Sequence, residues 1–224
     1  MLYMCSVIAD IETKGLEKFV TFVKIIYHYV FTYVTFSFWK GFLLWIVNVM
    51  CTITWNYMDL FIILISVAVA QKFRAVNHQL RLGIASKSKD YLFWSKLREN
   101  YLAVTKLCQT VDDAVSDIIF ISFFNNLFVI LVQLFNSLKP RSDGIFGRIY
   151  FIYSFVFLIS RTMAVLLYAS SVSEESRDAA NVLMSTPSEM YNIVIEKLLY
   201  KIQVDPPTLT GKRFFNVTRA LILN

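Results

Sequence analysis

The sequence predicts an all-α protein, a polytopic bundle of transmembrane helices, on three observations. Of its 224 residues, 57% are hydrophobic and 16% aromatic, more apolar matter than a soluble core of that length buries. Apolar stretches recur at the length of roughly 20 helical residues that a hydrocarbon core about 30 Å thick requires. The charge is also unevenly placed: segment 71–100 carries seven Lys or Arg against two acids, the mark of a cytoplasmic connection.

The elements follow in order. Residues 1–40 form an outer or interfacial segment, in which "FVTFVKIIYHYVFTYVTFSFW" (19–39) is long enough to span but is softened by Lys24, His28, Tyr27, Tyr29, Tyr33 and Trp39. Such rings favour the water boundary, and the stretch reads as an aromatic helix lying there. Residues 41–175 hold three spans, at about 42–70, 114–136 and 149–171, with helical extensions on the inner side. The first span runs outside to inside, the second outward and the third back in, so that 137–148 is an outer loop. Val104, Leu107, Cys108, Val111, Val115, Ile118 and Ile119 form a helical stripe leading into the second span. Residues 176–224 form a cytoplasmic anchor region. There Ser188 and Glu189 open an amphipathic helix with Tyr191, Ile195, Leu198 and Ile202 on one side, ended by Pro206 and Pro207. The closing "GKRFFNVTRALILN" climbs into apolar residues and stops at Asn224, as a helix entering a membrane would if cut after its first turns.

Several function classes are poorly served. The net charge of +6 is modest and no basic stripe lacks an adjacent span to explain it, so nucleic acid is not an expected partner. Cys5, Cys51 and Cys108 make no CxxC pair, and His28 and His78 lie far apart with no ligand cluster beside them; no metal site is expected. No HExxH, GxSxG, phosphate-cradling glycine loop or glycosidase-like carboxylate pair is present, which leaves no catalytic residues, no enzyme and no cofactor to propose. "NVT" at 216–218 fits a glycosylation pattern but falls on the inner side, where it is a chance match.

The informative residues are those that resist lipid. An acid in mid-span is costly and normally faces protein or a wet cavity. Trp55 and Asp59 are four apart and share a helix face. An indole that packs on the C–H face of a sugar, beside a carboxylate that accepts its hydroxyl hydrogens, suits carbohydrate recognition. The alternative is that Asp59 is satisfied by a neighbouring helix and Trp55 is packing. In the second span Ser122, Asn126 and Gln133 make a polar stripe with Asn125 alongside; amides match vicinal hydroxyls and serve equally as interhelical glue. In the third span Arg161 shares a face with Ser154, and is the obvious counter-ion for Asp59. A purely structural Asp59–Arg161 ion pair is therefore a second reading of the same residues.

Together, "WNYMDLFIILIS", "QKFRAVNHQL", "LRENY…LCQTVDDAVSDIIFISFFNNLFVILVQLFNSL", "SFVFLISRTMAVLLYASSVSEESR" and "GKRFFNVTRALIL" resemble the insect gustatory receptors, and within them the sugar-receptor branch; the likeness runs in order over about 41–223. The resemblance implies a seven-helix insect chemoreceptor fold of which this chain holds helices four to six and the start of the seventh. It implies a ligand-gated cation channel, tetrameric with like or related subunits, in the plasma membrane lipid bilayer, with a sugar as ligand. Trp55 and Asp59 match pocket-facing positions of that branch; Asn125, Asn126 and Gln133 transfer less directly, and Arg161 has no assigned role. The family's terminal TYxxxxxQF-type motif and its first three helices are missing, so a fragment with an incomplete pocket and pore is expected.

Overall fold

The computed structural model describes residues 15–88, 90–137, 145–188 and 191–223. Cys5, Glu189 and most of the expected outer loop, 138–144, lie outside them. The described chain is helical apart from one small hairpin: α1 (Gly15–Ile26), α2 (His28–Phe31), α3 (Phe38–Ala85), α4 (Tyr91–Ser137), α5 (Ile145–Met184), α6 (Ile193–Val204), β1 (Thr210–Gly211), β2 (Phe215–Asn216) and α7 (Arg219–Leu223). This is the all-α transmembrane architecture expected from the sequence. Helices α3, α4 and α5 are each long and apolar enough to cross a membrane. At 1.5 Å per residue the 48 residues of α3 reach about 72 Å, so the extensions read beyond the spans are continuous with them.

The chain divides into two compact units, Met1–Tyr57 with Phe128–Ser160, and Met58–Leu127 with Arg161–Asn224. In the first unit the described part of α1 covers 12 residues, and the helix is interrupted at Tyr27 before α2. Among the described residues neither helix reaches the length a span needs. Phe22, Val23 and Tyr27 are buried against Phe19, Phe36, Leu44 and Trp45, and the Tyr27 hydroxyl donates to the Leu44 carbonyl at 3.3 Å. Gly41 permits this approach: a Cβ there would sit 2.9 Å from Val23 Cγ1. Leu43, Val47, Met50 and Ile53 are exposed along α3, as expected of a lipid-contacting surface.

The second unit is built on seams. Along α3 a buried series runs Asp59, Ile62, Ser66, Val69, Phe73, Val76, Leu80 and Gly83, with Ala70 and Asn77 buried beside it; along α4 one runs Trp94, Leu97, Tyr101, Thr105, Cys108, Asp112, Val115, Ile119, Ser122 and Asn126. Both advance by steps of three and four, a 3.5-residue repeat that keeps one edge of each helix facing its neighbours. On α5 the series Val165, Ala169, Val172, Ser176, Ala179 and Leu183 does the same. This shifts the stripe read from the sequence: Cys108, Val115 and Ile119 belong to it, but Leu107 is exposed and Thr105 and Asp112 are buried in its place. Polar residues join a buried edge when they find partners, and these largely do. The Tyr101 hydroxyl donates to the Ser176 carbonyl at 3.1 Å, Asn77 Nδ2 to the Glu175 carbonyl at 2.8 Å, and Ser176 Oγ to the Pro207 carbonyl at 3.0 Å. Burial pushes the Cys108 thiol up to about 12, which leaves it a protonated packing group with no thiolate chemistry.

The turn from α3 to α4 is closed by Trp94, 1% exposed, whose indole N–H donates to the Ser88 carbonyl at 3.0 Å. Phe93 lies so close to α3 that a Cβ on Gly83 would come within 2.5 Å of its ring. Further along, α6 starts later than the sequence signals imply. Asn192 is its N-cap, accepting from the Val194 and Ile195 amides at 2.9 and 3.0 Å. Tyr191 therefore precedes the helix and stays exposed, while Val194, Ile195, Leu198 and Ile202 are buried. An asparagine side chain that satisfies two free amides of the first turn outweighs a serine four residues upstream.

The β1–β2 hairpin went unread in the sequence. Its strands pair antiparallel, Thr210 with Asn216 and Gly211 with Phe215. It docks on α4 through Asp112, whose carboxylate accepts the Thr210 amide at 2.6 Å and the Thr210 hydroxyl at 2.9 Å. Burial raises the Asp112 carboxyl more than these donors lower it. The folded state thus holds this proton to higher pH than the unfolded chain. Its contribution to stability falls as pH rises from the ordinary carboxylate value through the raised one. Melting Asp112→Asn and parent at about pH 4 and about pH 7 should show the parent losing more stability between the two; equal losses would contradict the assignment.

Candidate functional site

A charged cluster occupies the second unit where α3, α4 and α5 each contribute one turn. The seam repeat aims Asp59 inward from α3 and leaves it 3% exposed. From α4, Ser122 Oγ donates to Asp59 Oδ1, and Asn126 Nδ2 reaches both carboxylate oxygens at 3.3 Å. Ser122 and Asn126 are four apart on one helix and are themselves linked, Nδ2 to Oγ, at 3.3 Å. From α5, Arg161 Nε donates to Asp59 Oδ2 at 2.6 Å. The two side chains are 14% and 4% exposed.

The electrostatics follow from that burial. A carboxylate removed from water loses several kcal/mol of hydration, and an ion pair compensates only when the remaining lone pairs are also met. Here they are: a guanidinium takes one oxygen, a hydroxyl the other, and an amide bridges both. Charge-assisted bonds of this kind are the stronger class. Beside the cluster lies a cavity of about 10 Å³ lined by Ser122, Asn126, Thr162, Val165, Phe215 and Val217 among others. That is room for about one water molecule.

The other residues singled out in the sequence are placed as follows. Asn125, next to Asn126, is half-buried. Trp55 and Gln133 belong to the first unit. Trp55 is half-buried. Gln133 is 7% exposed; its Nε2 donates to Ser154 Oγ at 3.2 Å, while its Oε1 is buried with no donor among the described residues. An unmet buried acceptor is uncommon. Among the described residues no group of three or more His, Cys, Asp or Glu is placed to hold a metal. From the sequence Asp112 is placed, with Asp113 and Asp117, near the inner boundary of the second span and is given no partner. Its signal was the 3.5-residue spacing, which places it in register with Cys108 and Val115 and not on an outer face.

Comparison with known proteins bears directly on identity. The family model described as trehalose receptor matches residues 1–224, the full length of the chain. The chain belongs to the trehalose receptor family. This agrees with the resemblance to the sugar branch of the insect gustatory receptors read from the sequence. Among relatives from Drosophila melanogaster, gustatory receptor for sugar taste 64f is 40% identical over 177 residues, 79% of this chain and 37% of the relative. Gustatory receptor 5a for trehalose is 33% identical over 188 residues, 84% of this chain and 42% of its own length. Gustatory receptor for sugar taste 64a is 32% identical over 221 residues, 99% of this chain and 47% of the relative. The chain thus spans less than half the length of these three relatives. The family is one of receptors, and with three helices able to cross a bilayer this member is a multi-pass membrane protein.

Proposed function

We propose that this chain is part of a sugar-gated, non-selective cation channel in the plasma membrane of a taste cell, assembled as a tetramer with like or related subunits. Membership of the trehalose receptor family over the whole chain is the observation that carries the reading. The relatives named for sugar taste and for trehalose agree with it. A polyhydroxyl ligand needs paired donors and acceptors in a setting that excludes bulk water. In the second unit Asp59, Asn125 and Asn126 offer these. In the first, Gln133 has a buried acceptor with no donor among the described residues, and Trp55 brings an indole, the kind of ring on which a pyranose packs. A sugar that binds one state of the channel more tightly than the other shifts the population toward that state by its differential affinity. The cytoplasmic extensions, about 71–113 and 172–203, provide the surfaces on which subunits meet.

The test is a recording of sugar-evoked current from the full-length receptor containing this chain. Trp55→Ala is expected to lower the response at a fixed subsaturating sugar concentration by about tenfold, the equivalent of about 1.4 kcal/mol of stacking, at unchanged surface abundance. Unaltered currents would remove Trp55 from the site.

A second reading has an observation of its own. Asp59 is already supplied by Ser122, Asn126 and Arg161, which favours a structural cluster and, in the limit, a non-conducting subunit whose buried polar groups only hold helices together. Asp59→Asn combined with Arg161→Gln separates the two. A double variant that reaches the surface and still responds to sugar assigns the cluster to structure. One that reaches the surface and loses the sugar response assigns it to binding.

A further inference from the structure

The hairpin is held in a manner that its sequence alone would not sustain. The turn from Gly211 to Phe214 is closed by the Phe214 amide on the Gly211 carbonyl at 3.0 Å, and both central residues have left-handed backbones, Lys212 at φ 50° and Arg213 at φ 59°. A turn with two such positions selects Asn and Gly, because the Cβ of other L residues crowds the following carbonyl oxygen there. A strained turn of this kind persists only when its surroundings over-determine it. They do so chiefly at the buried Asp112, with exposed ion pairs around it. Arg213 pairs with Asp113 at 2.9 Å and Lys212 with Asp117 at 3.5 Å, both at exposed positions on α4, and beneath them the buried Asp112 takes the amide and hydroxyl of Thr210. Past the hairpin, Arg219 at the start of α7 pairs with Glu174 of α5.

The apolar side of the same hairpin faces the charged cluster. Leu209 and Val217 are fully buried and joined by the Val217 amide on the Leu209 carbonyl at 2.9 Å. Phe215 packs on Phe123 with ring centroids 4.9 Å apart, and Phe214 on Phe120 at 5.6 Å. Phe215 and Val217 form one wall of the cavity of about 10 Å³ whose other walls include Ser122 and Asn126, the two α4 partners of Asp59.

We propose that the hairpin is a releasable latch: Asp112 holds it closed against α4, and its release frees α7 from α5 and loosens the wall of the Asp59 cluster. The latch is bistable for a physical reason. The closed state gains the Asp112 bonds and the ring contacts, while the open state relieves the left-handed Lys–Arg turn and rehydrates a buried carboxylate. A device of this kind joins the polar cluster to the segment leading into α7, whatever the ligand. It goes beyond the sugar reading and does not rest on it.

Amide hydrogen exchange on the full-length receptor in lipid nanodiscs tests the holding contact. Asp112→Ala is expected to speed exchange in 209–219 by about tenfold or more, while 193–202 of α6 and 91–105 of α4 change by less than about twofold. Asp113→Ala, which cuts only an exposed pair, should leave 209–219 within about twofold of the parent. If Asp112→Ala does not accumulate, Asp112→Asn retains one acceptor and should give the same regional pattern with a smaller increase. No acceleration at 209–219, or an equal acceleration throughout the second unit, would overturn the latch. The second half of the proposal predicts that Phe215→Ala and Ser122→Ala are coupled: their melting-temperature shifts should not sum in the double variant. Strict additivity would sever the hairpin from the cluster and refute that half.

Discussion

Asp59→Ala is expected to abolish most of the folded protein delivered to the membrane. The substitution removes the carboxylate that Ser122, Asn126 and Arg161 share and takes the Asp59 charge from beside a guanidinium that is only 14% exposed. Breaking a buried ion pair from one side costs about 3–5 kcal/mol, a large part of the roughly 5–15 kcal/mol by which domains are stable. The loss comes less from the attraction itself than from the charge left behind. Asp59→Asn with Arg161→Gln neutralises both sides, retains hydrogen-bonding groups and should recover most of the yield. Surface biotinylation and a size-exclusion profile in detergent measure both. Asp59→Ala at parental abundance, or a double variant no better than the single, would show that the cluster is not what holds these three helices together.

Trp94→Ala is the second large effect. The indole is 1% exposed at the turn from α3 to α4, packed by the ring edge 3.5 Å from where a Cβ on Gly83 would lie. Its N–H donates to the Ser88 carbonyl, which closes the turn. Deleting a buried aromatic of this size costs about 3–5 kcal/mol through lost burial and the void it leaves. Trp94→Phe keeps most of the volume and loses the hydrogen bond, so it should cost about 1–2 kcal/mol. Thermal melting of the purified chain, followed by tryptophan-independent light scattering, ranks the two. Equal shifts would mean that the hydrogen bond, not the packing, secures the turn.

How much of this was legible in the sequence can be argued residue by residue. The long helices were, because bilayer thickness imposes a length and hydropathy that composition alone reveals. The continuation of the second one beyond its span was too, since the stripe from Val104 to Ile119 carries a helical period up to the apolar run. Arg74 and Arg81 meet Glu175 and Asp178 on α5, at 2.6 and 2.8 Å. The pairing of Asp59 with Arg161 was open to inference because two opposite charges in lipid have few other choices. What the sequence hid is local. "TGKRFFN" carries none of the Asn-Gly signal by which a tight hairpin is recognised, and the contacts that hold it come from an acid about a hundred positions earlier. Asp112 stands with Asp113 and Asp117 near the end of a span, and only its 3.5-residue register with Cys108 and Val115 sets it apart as the buried one of the three. The start of α6 was misjudged because Ser188 and Asn192 are both competent caps, and only the fold chooses between them.

The alternation of aliphatic and polar groups along the inner edges of α3 and α4 also limits how these helices can move. A purely aliphatic edge could ratchet along its partner by one repeat at little cost, since one branched side chain fills a groove much as another does. With a carboxylate and an amide set into the row, each such slide strands a hydrogen-bonding group against hydrocarbon. The pair is therefore better suited to rotating or rocking as a block than to sliding, and any rearrangement of this half of the molecule must be carried by parts that lack such pins.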